Sequence, residues 1–271
     1  MQYDVVDGGY LTWIYGSKPF ARGNWPPQSV RGAFLALDSL SDTFRVQRDP
    51  TYKANRKDKR FEDSNLYEQW KRIRELRRDV VEDPRLTCIR IPGLEADDLI
   101  ALLAWKFAGK RELQLLAQDK DLLQIKGVKI TDNQDVPVTL DRFAGRLPKA
   151  ITREPLKRNQ IPLILALLGD KSDNIPRLVD RGDLWVLSRI LCHTRNKAYN
   201  EALEKYGQLF LDNLYAVVLP DPHIFRYDQM EVFTLLKEGG WGSALLSDLL
   251  PEYQEEMLTW KEKTMIGRKK K

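Results

Sequence analysis

Short apolar segments alternate with stretches of helical periodicity along the first part of the chain. The segments at residues 3–6, 33–37, 87–91 and 113–117 have the length and composition of buried strands. Strands that alternate with helices form βαβ units, which place parallel strands in one sheet with helices on its faces. The sequence therefore predicts an α/β fold with a mostly parallel central sheet, and residues 94–107 predict a helix buried against it.

Acidic residues follow every one of the predicted strands. Asp7 follows the first strand directly, and Asp38 follows the second. The later acidic blocks contain Glu95, Asp97 and Asp98 after the third strand, Asp119 and Asp121 after the fourth, and Asp170 and Asp173 after a predicted helix at residues 161–168. Ligands of open α/β sheets bind outside the carboxyl ends of the strands, so we expect these carboxylates to gather at one edge of the sheet.

A single aspartate after a strand is most simply explained as a helix cap or a turn residue. That explanation needs one carboxylate for each helix, whereas Glu95, Asp97 and Asp98 crowd one helical turn. So many carboxylates at one edge would cost several kcal/mol in mutual repulsion unless cations lay between them. Because the blocks contain no histidine or cysteine, hard divalent ions such as Mg²⁺ or Mn²⁺ are the expected cations. Two such ions suit an in-line attack on a phosphodiester.

Basic residues are separated from the acidic blocks. The net charge is +5 and the pI is near 9.0, and lysines and arginines are concentrated between Arg45 and Arg78. A basic stretch beside an acidic centre is typical of a metal-dependent nuclease, because it would hold the substrate phosphates that the carboxylates repel. The terminal run from Arg268 to Lys271 is weaker evidence, since such a run is commonly a solubilising end.

Composition argues against several other classes of protein. No window approaches the roughly eighteen apolar residues that a membrane-spanning helix needs, and a charged segment follows Met1 where a signal region would be apolar. We therefore expect a cytoplasmic protein with no membrane partner. Cys88 and Cys192 are isolated from each other and from the histidines, so the sequence indicates neither a disulfide framework nor a zinc site.

Six sequence blocks, in this order, resemble the family of flap endonucleases and 5′-to-3′ exonucleases, which includes the 5′-nuclease domain of bacterial DNA polymerase and stand-alone bacteriophage exonucleases. The blocks are Val6-Asp7-Gly8, Asp38 with Phe44-Arg45, Tyr52-Lys53-Ala54-Asn55-Arg56, Gly93-Leu94-Glu95-Ala96-Asp97-Asp98, Gln118-Asp119-Lys120-Asp121-Leu122-Leu123-Gln124, and Gly169-Asp170-Lys171-Ser172-Asp173-Asn174-Ile175-Pro176. The resemblance covers most of residues 1–176. Together the blocks are specific, although a single Asp-x-Asp would mean little.

The resemblance implies two Mg²⁺ sites, with Mn²⁺ as an alternative metal. One ion would lie among Asp7, Asp38, Glu95, Asp97 and Asp119, and the other among Asp119, Asp121, Asp170 and Asp173, with Asp98 in the outer shell of ligands. Lys53 and Arg56 resemble the family's basic pair, which contacts the scissile phosphate, and Tyr52 belongs to the same DNA-binding block. These residues would stand at the base of a helical arch at about residues 50–80, which includes a predicted amphipathic helix at residues 63–80.

Two departures from the family pattern concern DNA contacts. The family's glycine-rich hairpin after Asn174-Ile175-Pro176 is replaced by Arg177-Leu178-Val179-Asp180-Arg181-Gly182, which keeps only the last glycine. We expect the side chains of Arg177 and Arg181 to bind duplex phosphates in its place. The family's arginine one turn after Asp7 is also missing, since Thr12-Trp13-Ile14 stands there.

The expected organisation is a PIN-like α/β nuclease domain at residues 1–156 and a smaller helical region at residues 157–271, with helices near residues 184–191, 199–206 and 232–237. The second region would contain a degenerate helix-hairpin-helix-like element that binds duplex. The expected substrate is DNA with a 5′ end, flap, nick or gap, or an RNA–DNA hybrid, and the protein is expected to be a monomer that works with replication proteins.

Two other functions remain open at this point. The first is a metal-dependent ribonuclease of the PIN type, which the number of acidic residues and the Tyr52-Lys53-Ala54-Asn55-Arg56 block argue against. The second is a non-catalytic DNA-binding replication factor with a nuclease fold, which the loss of one or more acidic residues would favour. None of the acidic residues of the family pattern is lost.

Overall fold

The structure is a computed structural model. It describes residues 2–17, 27–58, 69, 71–76, 79, 87–90, 93–106, 112–147, 155–180, 187–189 and 195–219.

A five-stranded parallel sheet forms the centre of the described residues. Its strands are β1 (Val5–Asp7), β2 (Phe34–Ala36), β3 (Thr87–Ile89), β4 (Leu113–Leu116) and β5 (Val128–Thr131), in the spatial order β3-β2-β1-β4-β5. The four predicted strands are confirmed, each one or two residues shorter than predicted. The fifth strand, at the edge of the sheet, was not predicted. The α/β fold with a mostly parallel sheet is confirmed.

Helices follow the strands in the order that a βαβ arrangement requires. They are α1 (Gly8–Ser17), α2 (Phe44–Arg48), α3 (Asn55–Asp58), α4 (Ala96–Lys106), α5 (Leu140–Ala144), α6 (Ile161–Leu168) and α7 (Arg195–Val217). Helix α7 consists of two helical stretches, because Gly207 has a φ of 57° and a ψ of −137° and interrupts the helix. Short 3₁₀ turns lie at Gln28–Val30, Asp121–Gln124 and Arg158–Gln160.

Alternate strand residues pack on opposite faces of the sheet, as the two-residue period of a strand requires. Val5 belongs to a core that includes α4, α6 and α7, whereas Val6 belongs to a second core with Leu11 of α1. Both residues are almost completely buried. A sheet covered on both faces explains why the strands are continuous apolar runs instead of alternating ones.

Helix α6 explains the most apolar stretch of the sequence. Its first seven residues are all buried, and they belong to the same hydrophobic core as Ala202 and Phe210 of α7. The helix ends at Gly169, which has a φ of 68°. A Cβ atom at Gly169 would lie 2.6 Å from the carbonyl oxygen of Ile175, so both the backbone angle and the close approach require glycine. This tight end places Asp170 directly after the helix.

Part of the predicted amphipathic helix at residues 63–80 is described. Residues 69, 71–76 and 79 are helical, with Ile73 and Leu76 buried as the predicted apolar face requires. Ile73 lies against Gly16 of α1, and Arg72 Nε donates a hydrogen bond to the Gly16 carbonyl at 3.1 Å. Residues 59–68, 70, 77, 78 and 80 of the predicted arch, which include Leu66, Trp70 and Val80, lie outside the described residues.

The predicted helical region after residue 156 shares its core with the sheet. Residues of α6 and α7 pack in the same cluster as Val5 and Leu115, so the core is continuous across the predicted domain boundary. That boundary stays a prediction. The helix predicted at 199–206 is the first part of α7, residues 187–189 of the one predicted at 184–191 are helical, and residues 232–237 lie outside the described part. None of the described helices has the length and apolar character to cross a bilayer.

Candidate active site

Five of the nine predicted acidic residues line a cavity at the carboxyl edge of the sheet. Asp7 is the last residue of β1, and Asp38 lies two residues after β2. The cavity has a volume of about 840 Å³, and its charged lining residues are Asp7, Asp38, Asp42, Lys53, Arg56, Glu95, Asp97, Asp119 and Arg146. The sheet order brings the ends of β1, β2 and β4 side by side, which is why residues so distant in sequence meet here.

Hydrogen bonds to the backbone orient the side chains of Asp7 and Asp38. Asp7 Oδ1 accepts a hydrogen bond from the Tyr10 backbone N–H at 3.1 Å, and Asp38 Oδ1 accepts one from Ala96 N–H at 3.1 Å. Both carboxylates therefore satisfy an otherwise unpaired N–H in the first turn of a helix. A Cβ atom at Gly8 would clash with Leu37 Cδ2. Glycine at this position therefore lets the start of α1, directly after β1, pack closely against the residue that follows β2.

Glu95, Asp97 and Asp98 form the acidic cluster at the start of α4. Their carboxylates each offer an oxygen within 4.8 Å of the others. Asp98 is fully buried, and both of its oxygens accept hydrogen bonds at 2.8 Å from the guanidinium of Arg45. Arg45 thus holds Asp98 on the inner side of the cluster, as the predicted outer-shell position would require.

Three side chains surround the buried carboxylate of Glu95. It accepts hydrogen bonds from Lys53 Nζ at 2.7 Å, from the Tyr52 hydroxyl at 3.0 Å and from Arg45 Nη1 at 3.2 Å. Burial alone would raise the pKa of Glu95, but the positive charges of Lys53 and Arg45 outweigh it and hold the pKa below its ordinary value. Glu95 is therefore ionised at neutral pH and available to a cation.

A second acidic cluster lies beside the first. Asp121 begins the 3₁₀ turn after β4, and Asp170 and Asp173 lie in the turn that closes with the bridge between Asp170 and Ile175. Lys120 forms an ion pair with Asp170, and Arg56 forms one with Asp173. Lys53 and Tyr52 connect the clusters, because both contact Glu95 and lie 3.9 Å and 3.5 Å from Asp173 Oδ2, respectively. Asp119 lies next to the second cluster, since its Oδ1 accepts a hydrogen bond from the Asp121 N–H at 2.9 Å.

Burial and like charges make several of these carboxyl groups hard to ionise. Burial raises the pKa of Asp7 to about 7, with the charges of Asp38 and Asp119 adding to it. Burial likewise raises the pKa of Asp121 to about 8, with Asp119 as the next contribution. The pKa of Asp97 is also well above its ordinary value, because of burial and its neighbours Asp98 and Glu95. A divalent cation at the site would reverse these effects.

We expect the metal-free protein to become less stable by roughly 3–7 kcal/mol between pH 5 and pH 8. In this window the folded carboxyls of Asp7 and Asp121 still hold protons that the unfolded chain has released, so the folded state loses its advantage as pH rises. Glu95 and Asp170 have lowered pKa values in the folded protein. The stability that their ionisation contributes is already gained below pH 5, so it does not change between pH 5 and pH 8. Urea unfolding in EDTA measures the decline, and saturating Mg²⁺ should abolish it. Stability that rises with pH in EDTA would contradict this prediction.

The structure also locates the residues assigned to DNA contacts. Tyr52, Lys53 and Arg56 all line the cavity. Tyr52 is only 5% exposed and its hydroxyl donates to Glu95, so a direct contact with DNA is not favoured for this residue. Arg177 lies on an exposed turn, where its Nε donates to the Val179 carbonyl at 2.6 Å. Arg181 lies outside the described residues. The functional roles of all five residues stay predictions.

Two residues with a clear part in the site were not assigned a role from the sequence. Arg45 is 2% exposed and contacts both Glu95 and Asp98, and Lys120 contacts the second cluster. Both residues lie inside the sequence blocks that carry the family resemblance, and this position is the signal in the sequence that could have identified them. Their charges alone would have suggested a solvent-exposed position.

Comparison with known proteins agrees with this geometry. Residues 25–145 match the family model of the 5′-3′ exonuclease N-terminal resolvase-like domain. DNA polymerase I of Mycobacterium tuberculosis is 34% identical over 154 residues, which are 55% of this chain and 16% of that protein. A 5′-3′ exonuclease of Mycoplasmopsis pulmonis is 29% identical over 164 residues, 59% of this chain and 50% of that protein. The chain thus spans half or less of the length of these relatives.

Solved structures show the same fold. A 5′-exonuclease of bacteriophage T5 with bound divalent zinc has a TM-score of 0.55 at 20% identity, covering 88% of this chain and 99% of the T5 chain. A T5 flap endonuclease in a complex with DNA and metal ions has a TM-score of 0.52 at 18% identity, covering 86% and 98%. The chain thus has the α/β fold of these solved structures, with a parallel sheet whose carboxyl edge carries carboxylates. In sequence, part of the chain is similar to 5′-3′ exonucleases and to DNA polymerase I.

Proposed function

We propose that the protein is a structure-specific 5′-nuclease that hydrolyses DNA phosphodiester bonds at or near a 5′ end with divalent metal ions. The observation that carries the proposal is the cavity at the sheet edge, which is lined by the carboxylates of Asp7, Asp38 and Asp119 and also by the cations Lys53 and Arg56. A phosphodiester needs positive charge where negative charge develops, and a bare carboxylate cluster would repel it. Carboxylates that hold metal ions, with lysine and arginine beside them, meet both requirements.

The residues of the site fit Mg²⁺ or Mn²⁺. All the acidic side chains offer oxygen, the donor that these hard ions prefer. Asp121 Oδ1 is buried and accepts no hydrogen bond from the described residues, although the Lys120 ammonium lies 3.6 Å from it. By family resemblance one ion would be held by Asp7, Asp38, Glu95, Asp97 and Asp119, and a second by Asp119, Asp121, Asp170 and Asp173. When bound, such ions activate water and stabilise charge on phosphoryl oxygens.

Lys53 is the cation best placed to orient a phosphate beside the carboxylates. It has a φ of 55°, a backbone conformation that non-glycine residues seldom adopt, and its N–H donates to the Asp173 carbonyl at 2.9 Å. Its ammonium reaches Glu95 and lies 3.9 Å from Asp173. Strain that is held in place by contacts on both sides is common at functional sites. Contacts within the protein would thus hold the Lys53 ammonium in position before the substrate binds.

Lys53→Ala is expected to lower the cleavage rate about a hundredfold, which corresponds to roughly 3 kcal/mol of transition-state stabilisation. The affinity for DNA should change much less, because other basic residues still hold the phosphates. Single-turnover cleavage and a separate binding titration in Ca²⁺ distinguish the two effects. Lys129→Ala, which removes an exposed lysine from β5, is the matched control and should behave like the wild type. A Lys53→Ala variant that binds poorly but turns over normally would limit this lysine to substrate positioning.

The proposed biological role is in DNA replication or primer removal. Its support is the similarity to polymerases named DNA polymerase I and to 5′-3′ exonucleases, with the chain covering only part of each. The proposed substrates are DNA with a 5′ end, flap, nick or gap, and RNA–DNA hybrids. Replication proteins are the proposed partners of a monomer in the cytoplasm.

A panel of end-labelled substrates tests the proposed function. The panel contains 5′-flap, nicked, gapped and blunt DNA, with a matched RNA hairpin, each with Mg²⁺ and with EDTA. We expect Mg²⁺-dependent products that begin at or near the 5′ end of DNA. Preferential cleavage of the RNA hairpin would favour a PIN-type ribonuclease. Tight binding to DNA without cleavage in Mg²⁺ or Mn²⁺ would favour a non-catalytic replication factor.

A further inference from the structure

Lys120 stands between the two carboxylates of the loop after β4, and its ammonium turns toward the second acidic cluster. It forms an ion pair with Asp170 and lies 3.6 Å from Asp121 Oδ1. Its side chain is 35% exposed, so the ammonium is partly withdrawn from water. Lys120 is therefore a fixed positive charge next to two of the proposed ligands of the second metal ion.

The partner oxygen of Asp170 is directed toward Lys120 by the surrounding turn. Asp170 Oδ1 accepts hydrogen bonds from the Ser172 N–H at 2.7 Å and from the Ser172 hydroxyl at 2.6 Å. The ion pair with Lys120 uses the other oxygen, Oδ2. The carboxylate is thus oriented from both sides, and Lys120 supplies the contact on the side of the cluster.

The other carboxylates near the cavity have different cations. Asp173 pairs with Arg56, and Glu95 pairs with Lys53 and Arg45. Among the described residues, the ion pairs of Asp121 and Asp170 are made by Lys120. Lys120 therefore carries much of the electrostatic balance of this pair, and its removal would leave Asp170 without this ion pair and Asp121 without this neighbouring positive charge.

We infer that Lys120 is an internal counter-ion of the second carboxylate cluster: it holds Asp121 and Asp170 together in the metal-free protein and weakens the binding of a divalent ion to them. The inference rests on the proposed function, because that function makes these two residues metal ligands. An ammonium and a divalent ion drawn to the same carboxylates repel each other. The flexible stem of lysine lets the ammonium move away when the ion binds, at a cost in affinity.

The test is Lys120→Met, which removes the charge but keeps an unbranched apolar stem of similar length. Mn²⁺ binding to the full chain without DNA is measured by calorimetry, and the thermal midpoint is measured in EDTA and in saturating Mn²⁺. We expect the variant to bind Mn²⁺ roughly five- to tenfold more tightly than the wild type. We also expect a lower midpoint in EDTA and a larger rise on adding Mn²⁺, because the uncompensated carboxylates then depend on the ion.

Two further variants separate this role from simpler ones. Lys171→Met removes an exposed lysine beside Asp170 and should leave Mn²⁺ affinity unchanged. Lys120→Arg retains the positive charge and should bind Mn²⁺ within about twofold of the wild type. If Lys120→Met does not fold in EDTA, comparison of Lys120→Arg with Lys120→Gln at low Mn²⁺ gives the same measurement, with the neutral variant expected to bind more tightly.

A Mn²⁺ affinity of Lys120→Met equal to or weaker than that of the wild type would overturn the inference. Weakened DNA binding together with an unchanged Mn²⁺ affinity would show that Lys120 is a phosphate contact instead. Neither measurement depends on cleavage. Wild-type cleavage of 5′-ended DNA, measured separately, decides the proposed function whatever the Mn²⁺ titration shows.

Discussion

Asp119→Asn is expected to reduce the rate of DNA cleavage at least about a thousandfold, equivalent to roughly 4 kcal/mol, while DNA binding stays close to that of the wild type. Asp119 lines the cavity, and its Oδ1 accepts the N–H of Asp121, so it lies next to the second acidic cluster. The family resemblance makes it a ligand of both ions. Asparagine keeps the size and the acceptor oxygen of the side chain, and the loop should therefore keep its shape.

Single-turnover cleavage of a 5′-flap substrate at saturating Mg²⁺ measures this effect, and a binding titration in Ca²⁺ measures DNA affinity. Ca²⁺ fills oxygen sites with less demanding geometry, so DNA should bind in it without being cut. The matched control is Asp141→Asn, the same chemical change at an exposed position in α5, which should cut at the wild-type rate. A rate for Asp119→Asn within a few fold of the wild type at saturating Mg²⁺ would show that this residue does not bridge the ions.

Arg45→Met is expected to lower the free energy of unfolding by about 3–5 kcal/mol, the usual cost of breaking a buried ion pair from one side. The guanidinium is buried, donates two hydrogen bonds to Asp98 and one to Glu95, and also donates to the Val218 carbonyl at 2.9 Å. Methionine fills much of the same volume but leaves the buried carboxylates unpaired. The end of α7 would lose its contact with the site at the same time.

Urea unfolding in EDTA at constant pH measures the loss, and Arg48→Met serves as the control. Arg48 lies one turn further along α2 and pairs with Asp212 at 3.5 Å on an exposed surface, so its ion pair should contribute at most about 1 kcal/mol. Adding Asp98→Asn to Arg45→Met should recover part of the loss, because it removes one of the uncompensated charges. If Arg45→Met changes stability by less than about 1 kcal/mol, the buried ion pair is not what organises the start of α4.

The position of the carboxylate edge could be predicted because it follows from elementary geometry. Buried parallel strands are short apolar runs, and the residue after each run lies at the same edge of the sheet. Asp7, Asp38 and Asp119 were found in this way. The simpler explanation of such residues also holds in part, since Asp7 and Asp38 each accept a hydrogen bond from the first turn of a helix. Capping and metal binding are compatible because a carboxylate has two oxygens.

Other features could not be predicted, for physical reasons that differ. Strand β5 has four residues and an exposed Lys129 at the sheet edge, so its apolar pattern is too short to stand out. The second part of α7 follows Gly207, and a glycine after a helical pattern more often marks an end than a kink. Arg45 is a charged residue in the core, and only its partners Glu95 and Asp98 explain its burial. Such partnerships depend on tertiary contacts, which a single sequence does not reveal.

The binding of divalent ions by the carboxylates of the sheet edge is tested most directly by anomalous diffraction from crystals of the wild-type protein soaked in Mn²⁺. Two anomalous peaks are predicted, one among Asp7, Asp38, Glu95, Asp97 and Asp119 and the other among Asp119, Asp121, Asp170 and Asp173, with Lys120 displaced from Asp170. The absence of any peak at this edge, or a single peak that has no contact with Asp119, would contradict the account.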